Sequence, residues 1–391
     1  MYRIDKEIDI KTEDYSFSAD EHDYINDLSE INEADSKEFE NVGIETDDQN
    51  RSATFILKDM SVVHCKSKQA GIDVLTITEA MDKYEWLKDY MWKDISPDKD
   101  EFTTLAKEKP SGGFFIRSEK DVKSQQPVQT CLHISKEGFS QNVHNVVIAE
   151  EGSELHIIAG CSTSAHMKNG LHVGVSEFYV KKGATLKYTM IHDWGEQVNV
   201  RPRTVTHVEE GGVFISNYIS LKPVGSLQTN PVTYLDGKDS VAIFNSVLVA
   251  GPGTDMDTGS VVFLRAENTR AEIVSRAITT GGRIIARGSI IGEVPGVKGH
   301  LECKGLILNN GLLHAIPELE AHAPNVEMSH EAAVGKIDQR EIEYLMARGL
   351  NEDEAISTIV RGFLNVDIEG LPASLVKKLD KAITDTQDDM M

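Results

Sequence analysis

The chain has 391 residues, 40% hydrophobic and 26% charged, enough apolar material for a sizeable core in two or three units. Its formal charge of −23 argues against nucleic-acid binding, because phosphate recognition needs a basic face. Residues 1–50 alone hold 17 acidic and 4 basic side chains, so the acidity belongs largely to one end. No run of about 18 apolar residues exists, which excludes a helical membrane span. The opening Met1-Tyr-Arg-Ile-Asp-Lys-Glu lacks the apolar stretch of a secretory signal, so a cytoplasmic protein is expected. Cys65, Cys131, Cys161 and Cys303 lie 66, 30 and 142 residues apart with no C-x-x-C, which excludes a zinc ribbon or a ferredoxin-type cluster loop.

Residues 1–128 read as an acidic N-terminal helical region. Asp20 to Glu40 either forms a helix with Tyr24, Leu28 and Ile31 on one side or stays disordered. A clearer helix runs from Thr78 to Lys93, with Met81, Trp86, Leu87, Tyr90 and Met91 as its apolar stripe. Ser96-Pro-Asp-Lys-Asp ends it, since proline removes a donor and pushes its predecessor to extended geometry.

Residues 129–316 change to short alternating runs of Val, Ile, Leu, Tyr and Thr broken by glycine turns. The turn centres Gly152, Gly183, Gly211, Gly237, Asn268 and Gly296 are separated by 31, 28, 26, 31 and 28 residues. A repeat near 29 emerges, each unit holding an apolar strand, a charged pair, a turn glycine and a second strand. One unit cannot bury its inward side chains alone, whereas stacked coils make a continuous core. A parallel β-solenoid is favoured over a sandwich of evenly spaced hairpins.

Residues 317–391 turn helical. Asp338-Gln-Arg-Glu341 and Asn351-Glu-Asp-Glu354 have the form of capping boxes, and a third helix is expected from Ala373 to Ile383. These helices either cap the open core of the solenoid or present an apolar face to a partner.

The search for standard catalytic motifs fails: no P-loop, no G-x-S-x-G and no H-E-x-x-H is present. Gly251-Pro-Gly-Thr-Asp-Met-Asp-Thr-Gly lacks the distal glutamate of an EF-hand and reads as a solenoid turn. What remains is a sparse set of soft and borderline ligands: Cys161, Cys303, His330 and Glu331. Thiolate suits iron–sulfur clusters, with imidazole and carboxylate as weaker iron ligands, so such a site would hold a cluster loosely. Each cysteine also fits as a small buried hydrophobe.

Val146-Val-Ile-Ala-Glu-Glu-Gly-Ser-Glu-Leu-His-Ile-Ile-Ala-Gly-Cys161 closely resembles the SufB/SufD family of iron–sulfur cluster assembly proteins. So do Val175-Ser-Glu-Phe-Tyr-Val-Lys-Lys-Gly-Ala-Thr-Leu-Lys-Tyr, Asp257-Thr-Gly, Ser329-His-Glu-Ala-Ala-Val-Gly-Lys-Ile and Tyr344-Leu-Met-Ala-Arg-Gly-Leu. The likeness covers roughly residues 75 to 370 in consistent order. It implies a mainly β fold, a right-handed parallel β-helix between N-terminal and C-terminal helical regions. It also implies a dimer joined through the last coils and C-terminal helices that bind a SufC-type ABC ATPase. On this resemblance the chain is a scaffold rather than an enzyme, building a transient 4Fe-4S or 2Fe-2S cluster from a sulfur donor and passing it to apo-protein acceptors.

Cys303, His330 and Glu331 resemble the family's interface cysteine, histidine and acid. Cys161 resembles the internal cysteine that accepts sulfur. Trp194, in Ile191-His-Asp-Trp, resembles a tryptophan lining the transfer route, and equally fits as a packed aromatic. Ser329 stands where SufB commonly has a second acid, a SufD-like trait, and the N-terminal region is short. The combination resembles compact, archaeal-type systems, for which a homodimer is more natural than a SufB–SufD heterodimer. Two other readings are a structural SufD-like partner without its own cluster, and a polysaccharide-active β-helix using Asp236, Asp239, Asp255 and Asp257.

Overall fold

The computed structural model describes residues 10–46 and 50–364. It is mainly β, a parallel solenoid of about eight turns with helices toward both termini. Two long sheets face each other, one of 10 strands and one of 12, and the main core lies between them. In the 10-stranded sheet successive coils stack in strict register: Glu154 opposite Thr185, Thr185 opposite Val213, Val213 opposite Val241, Val241 opposite Arg270, and Arg270 opposite Lys298. Those offsets are the sequence repeat expressed as hydrogen-bonded neighbours.

The turns sharpen the repeat. Gly152, Gly183, Gly211, Asn268 and Gly296 have positive φ as expected, but in the fourth turn the left-handed residue is Asp239 (φ 60°), not Gly237. Counting from Asp239 removes the irregular intervals of 26 and 31. Gly237 is required for another reason: a Cβ there would lie 1.9 Å from the Glu210 nitrogen of the preceding coil. Stacked turns also bond to one another, as where the Gly183 amide donates to Glu210 (2.8 Å) and the Gly211 amide to Lys238 (2.8 Å).

The strand layers reach further than residues 129–316 at both ends. Strand Ala53–Lys58 already pairs in parallel with Val128–Ile134, and strands Leu312–Ala321 and Glu327–Gly335 form one more coil past Pro317. At the first end the antiparallel pairings of Ala53–Lys58 with Ser61–Ser67, and of Ile72–Thr76 with Phe114–Ser118, close the stack. At the last end no further described strand follows Glu327–Gly335. Leu312 (56% exposed), Leu319 and Val334 (42%) are left exposed to solvent there.

The helices lie on the flanks. Helix α1 (Glu33–Asn41), capped by Asn32, places Phe39 against the outer side of the 10-stranded sheet, beside Ile56, Cys131 and Ile158. The expected Asp20–Glu40 helix is thus confined to its last third, preceded by a 3-10 turn at Leu28–Glu30. The expected Thr78–Lys93 helix breaks in two, α2 (Ile77–Lys83) and a 3-10 turn at Glu85–Asp89. The break at Tyr84 lets Tyr84 and Trp86 lie on Phe115 of the other sheet, with ring centroids 5.6 and 6.1 Å away. Helix α3 (Glu101–Glu108) follows on that same sheet, beside Val173 and Val175.

Helix α4 (Gln339–Met346) is capped by Asp338, and α5 (Glu352–Leu364) begins where Asn351 and Glu354 exchange reciprocal 2.8 Å bonds. Val360 and Leu364 pack beside Ile278 on the outer side of the 10-stranded sheet, so α5 does not plug the open end. The Ala373–Ile383 helix lies outside the described residues.

Candidate functional site

Inward rows follow directly from strand register. A parallel strand keeps each side chain beside its partner's, about 4.8 Å away, and alternation sends every second residue inside. One inward row runs Ala159, Met190, Tyr218, Ser246, Ser275, Cys303 and Ala332. The adjoining row begins at Cys161 and continues through His192 and Ser220. The rows meet where the Cys161 thiol donates to the Met190 sulfur at 3.6 Å.

Cys161 is 1% exposed and Cys303 is 3% exposed. Five strand steps of the 10-stranded sheet separate them, roughly 24 Å at ordinary strand spacing. The interior between them is not tightly filled. Met190, Ser216, Tyr218 and Ser246 face inward yet are only half-buried, and Met190, Ser216 and Tyr218 line a cavity of about 80 Å³ together with His172, His192 and Phe244. Polar contacts occur along the row: the Tyr218 hydroxyl meets His192 Nδ1 at 2.7 Å, and Ser246 donates to Ser275 at 3.1 Å.

Burial holds these groups neutral. The Cys161 thiol is pushed well above its ordinary value by burial, with Cys131 adding to the rise. Cys303 is pushed up to about 11, by burial first and then by Glu302. His172 and His192 are driven down to about 3, both by burial first. Trp194 packs against both imidazoles, tilted on His172 at 5.0 Å and edge-on to His192 at 5.4 Å between centroids, and its buried Nε1 has no hydrogen-bond partner among the described residues. It therefore stands at the His172–His192 end of the cavity.

At the open end, Cys303 lies on strand Lys298–Ile307 and His330 on the final strand Glu327–Gly335, where it pairs with Leu301. Leu301 and Cys303 alternate into the core, so His330 shares their inward face, one strand on and diagonal to Cys303. Cys303 is buried and His330 exposed, because nothing described stacks on the last strand. Glu331 pairs with Glu302, which puts it on the other face of the strand. There Glu302 is engaged by Arg276 (2.7 Å) and Lys304 (2.9 Å). The fold thus brings Cys303 and His330 together on one surface and sets Glu331 behind them.

The carboxylates that a polysaccharide-active site would need are already committed. Asp255 and Asp257 form bidentate pairs with Arg283 and Arg287, at 2.6–2.8 Å. Asp236 is held by His207 at 2.6 Å and Arg265 at 3.3 Å, and Asp239 accepts from Asn268 in the turn. Met190, Tyr218, Ser246 and Ser275, which line the interior between the two cysteines, were not singled out from the sequence. Counting back from Cys303 by the 28–29 residue period reaches each of them, so the signal was present in the repeat.

Fold and interior together define a parallel β-helix with two buried thiols, Cys161 and Cys303, inside the stack, while the aspartates considered on its surface are held by arginine, histidine or asparagine side chains. Residues 132–363 match the family described as SUF system FeS cluster assembly, SufBD core domain. An iron–sulfur cluster assembly SufBD family protein of Archaeoglobus fulgidus is 52% identical over 358 residues, covering 91% of this chain and 96% of the relative. One from Methanothermobacter thermautotrophicus is 44% identical over 386 residues, covering 97% and 93%. The iron–sulfur cluster assembly protein SufB of Bacillus subtilis is 32% identical over 302 residues, covering 76% and 64%. The chain belongs to the SufBD family, and its role lies in iron–sulfur cluster assembly. No helix among the described residues is long and apolar enough to cross a membrane.

Proposed function

We propose that the protein is the scaffold on which a labile iron–sulfur cluster is built as cargo at the seam between two copies of the chain. The observation that carries this reading is the inward row from Met190, in contact with Cys161, through Tyr218, Ser246 and Ser275 to Cys303 at the open edge. Cys161, once deprotonated, attacks the outer sulfur of a donor persulfide; the donor leaves as its thiolate and Cys161 becomes the persulfide, with no net oxidation. The cavity lined by Met190, His192 and Tyr218 supplies room beside Cys161 for the persulfide sulfur, on the side of the stack that leads to Cys303.

Cys303 and His330 are the proposed cluster ligands, and Glu331, on the outer side of the same strand, supplies a carboxylate where iron arrives. One chain offers too few ligands to complete a cluster, and a second copy across the edge strand Glu327–Gly335 would double the set about a two-fold axis. A homodimer would also cover Val334 and Leu319. A SufC-type ABC ATPase is the proposed partner of α4 and α5, where Tyr344 and Met346 are exposed; it would drive release to acceptor proteins.

Anaerobic reconstitution with ferrous iron and sulfide tests the assignment. The wild type is expected to develop the visible absorption of a cluster, and Cys303→Ala to lose it. Cys161→Ser should still load from free sulfide but not from a persulfide donor. An undiminished cluster in Cys303→Ala would remove the proposal.

A further inference from the structure

On the outside of the coil whose interior holds Cys161, three ligand-bearing side chains converge. Asp35 and Glu38 come from α1 and His133 from strand Val128–Ile134, and one ligand atom from each lies within 4.8 Å of the others. We propose that Asp35, Glu38 and His133 form a binding site for a first-row divalent metal ion, separate from the cluster site at Cys303. It would fasten the N-terminal segment to the solenoid.

The details fit a built site rather than an incidental meeting of charges. His133 is fully buried, and Phe39 fixes its ring edge-on at 5.3 Å. Its Nδ1 lies 2.9 Å from the Ser162 hydroxyl, and its Nε2 lies 3.0 Å from the Ser164 hydroxyl and 3.4 Å from Glu38 Oε2. With Nδ1–H donating to Ser162, Nε2 carries the lone pair; it accepts from the Ser164 hydroxyl and lies 3.4 Å from Glu38 Oε2, so an entering ion would replace the Ser164 bond.

Glu38 is held through Oε1 by the Ala165 amide at 2.7 Å, while its Oε2 is buried and has no hydrogen-bond partner. A buried carboxylate oxygen left without a partner is costly, and a cation is the partner that removes the cost. The two side-chain bonds of Asp35, from Lys58 (2.6 Å) and Asn32 (2.9 Å), both end on Oδ2, which leaves Oδ1 for a ligand. Lys58 offsets one of the two carboxylate charges, so a divalent ion brings the group from about −1 to +1. One imidazole and two carboxylates suit a borderline or hard ion such as Mn²⁺, Fe²⁺ or Zn²⁺ better than a soft one.

Manganese is the probe of choice, because it avoids thiolates and so ignores Cys161 and Cys303. The full-length apo protein would be titrated with Mn²⁺ in high salt, which screens the acidic surface, and free ion followed by EPR. One saturable equivalent is expected, showing nitrogen modulation in pulsed EPR and raising the melting temperature. Glu38→Gln and Asp35→Asn should each weaken binding by at least roughly tenfold and lose the thermal shift. Asp35→Asn carries the test if Glu38→Gln fails to fold. Absence of a saturable equivalent, absence of nitrogen modulation, or wild-type affinity in a folded variant would overturn the site.

Discussion

Cys161 and Cys303 differ from ordinary catalytic thiols in that nothing lowers their proton affinity. Both are buried, and the ionisable groups Cys131 beside Cys161 and Glu302 beside Cys303 raise the pKa further. The neutral thiol is therefore the resting form, and the proposed coordination at Cys303 would have to expel a proton. Alkylation of Cys303 by iodoacetamide should then rise about tenfold per pH unit from pH 7 to 10 and reach no plateau before about 11. Mass spectrometry of quenched samples measures this, and a plateau near 8.5 would show a thiol already open to water. The cysteines themselves were legible in the sequence through the motifs around them. Their environment was not, because Met190, Tyr218 and Ser275 lie 28 or more residues away along the chain and become neighbours only through strand register.

At the scale of the element, the turn is where the repeat is enforced. Two glycines separate its two physical demands. Gly183 has φ 65° and open space where a Cβ would go, so Gly183→Ala tests backbone conformation alone. It should cost about 1–2 kcal/mol. Gly237 is not left-handed, but its missing side chain admits the backbone of the preceding coil at 1.9 Å from the ideal Cβ position. Gly237→Ala should therefore destabilise more than Gly183→Ala, since backbone rather than a flexible side chain must move. Urea denaturation of the two variants decides the order; equal costs would mean the coil yields easily. Strand grammar and the period of 29 could be read directly, as could the capping pair Asn351–Glu354. The break of the Thr78–Lys93 helix could not, because its apolar stripe also satisfies a flatter segment lying across Phe115, and only the sheet beneath selects between them.

For the whole molecule, interior histidines tie stability to acidity. His172 and His192 are driven down to about 3, and His133 and His156 to about 4, in each case chiefly by burial. A depressed folded-state value means that the unfolded chain takes up protons first. The stabilising effect is fully present above about pH 6.5 and is lost as pH falls toward the folded values. Each such histidine should remove about 1.4 kcal/mol per pH unit below 6.5. The urea midpoint is expected to drop steadily between pH 7 and 5, and a flat midpoint over that range would contradict the burial of these rings.

Composition and periodicity alone favoured a β-solenoid flanked by helices over a sandwich of hairpins, since a repeat every 29 residues buries its apolar strands well by stacking. Family motifs added the expected chemistry of Cys161 and Cys303. Tertiary structure decided where the solenoid begins and ends, because Ala53–Lys58 and Glu327–Gly335 are strands only by virtue of neighbours to pair with. It also decided the company of each site residue. His330 shares the Cys303 face while Glu331 takes the opposite one, and α1 lays Asp35 and Glu38 beside His133 from about a hundred residues away. Alternation along a strand is local, but which coil lies alongside is a property of the packed stack.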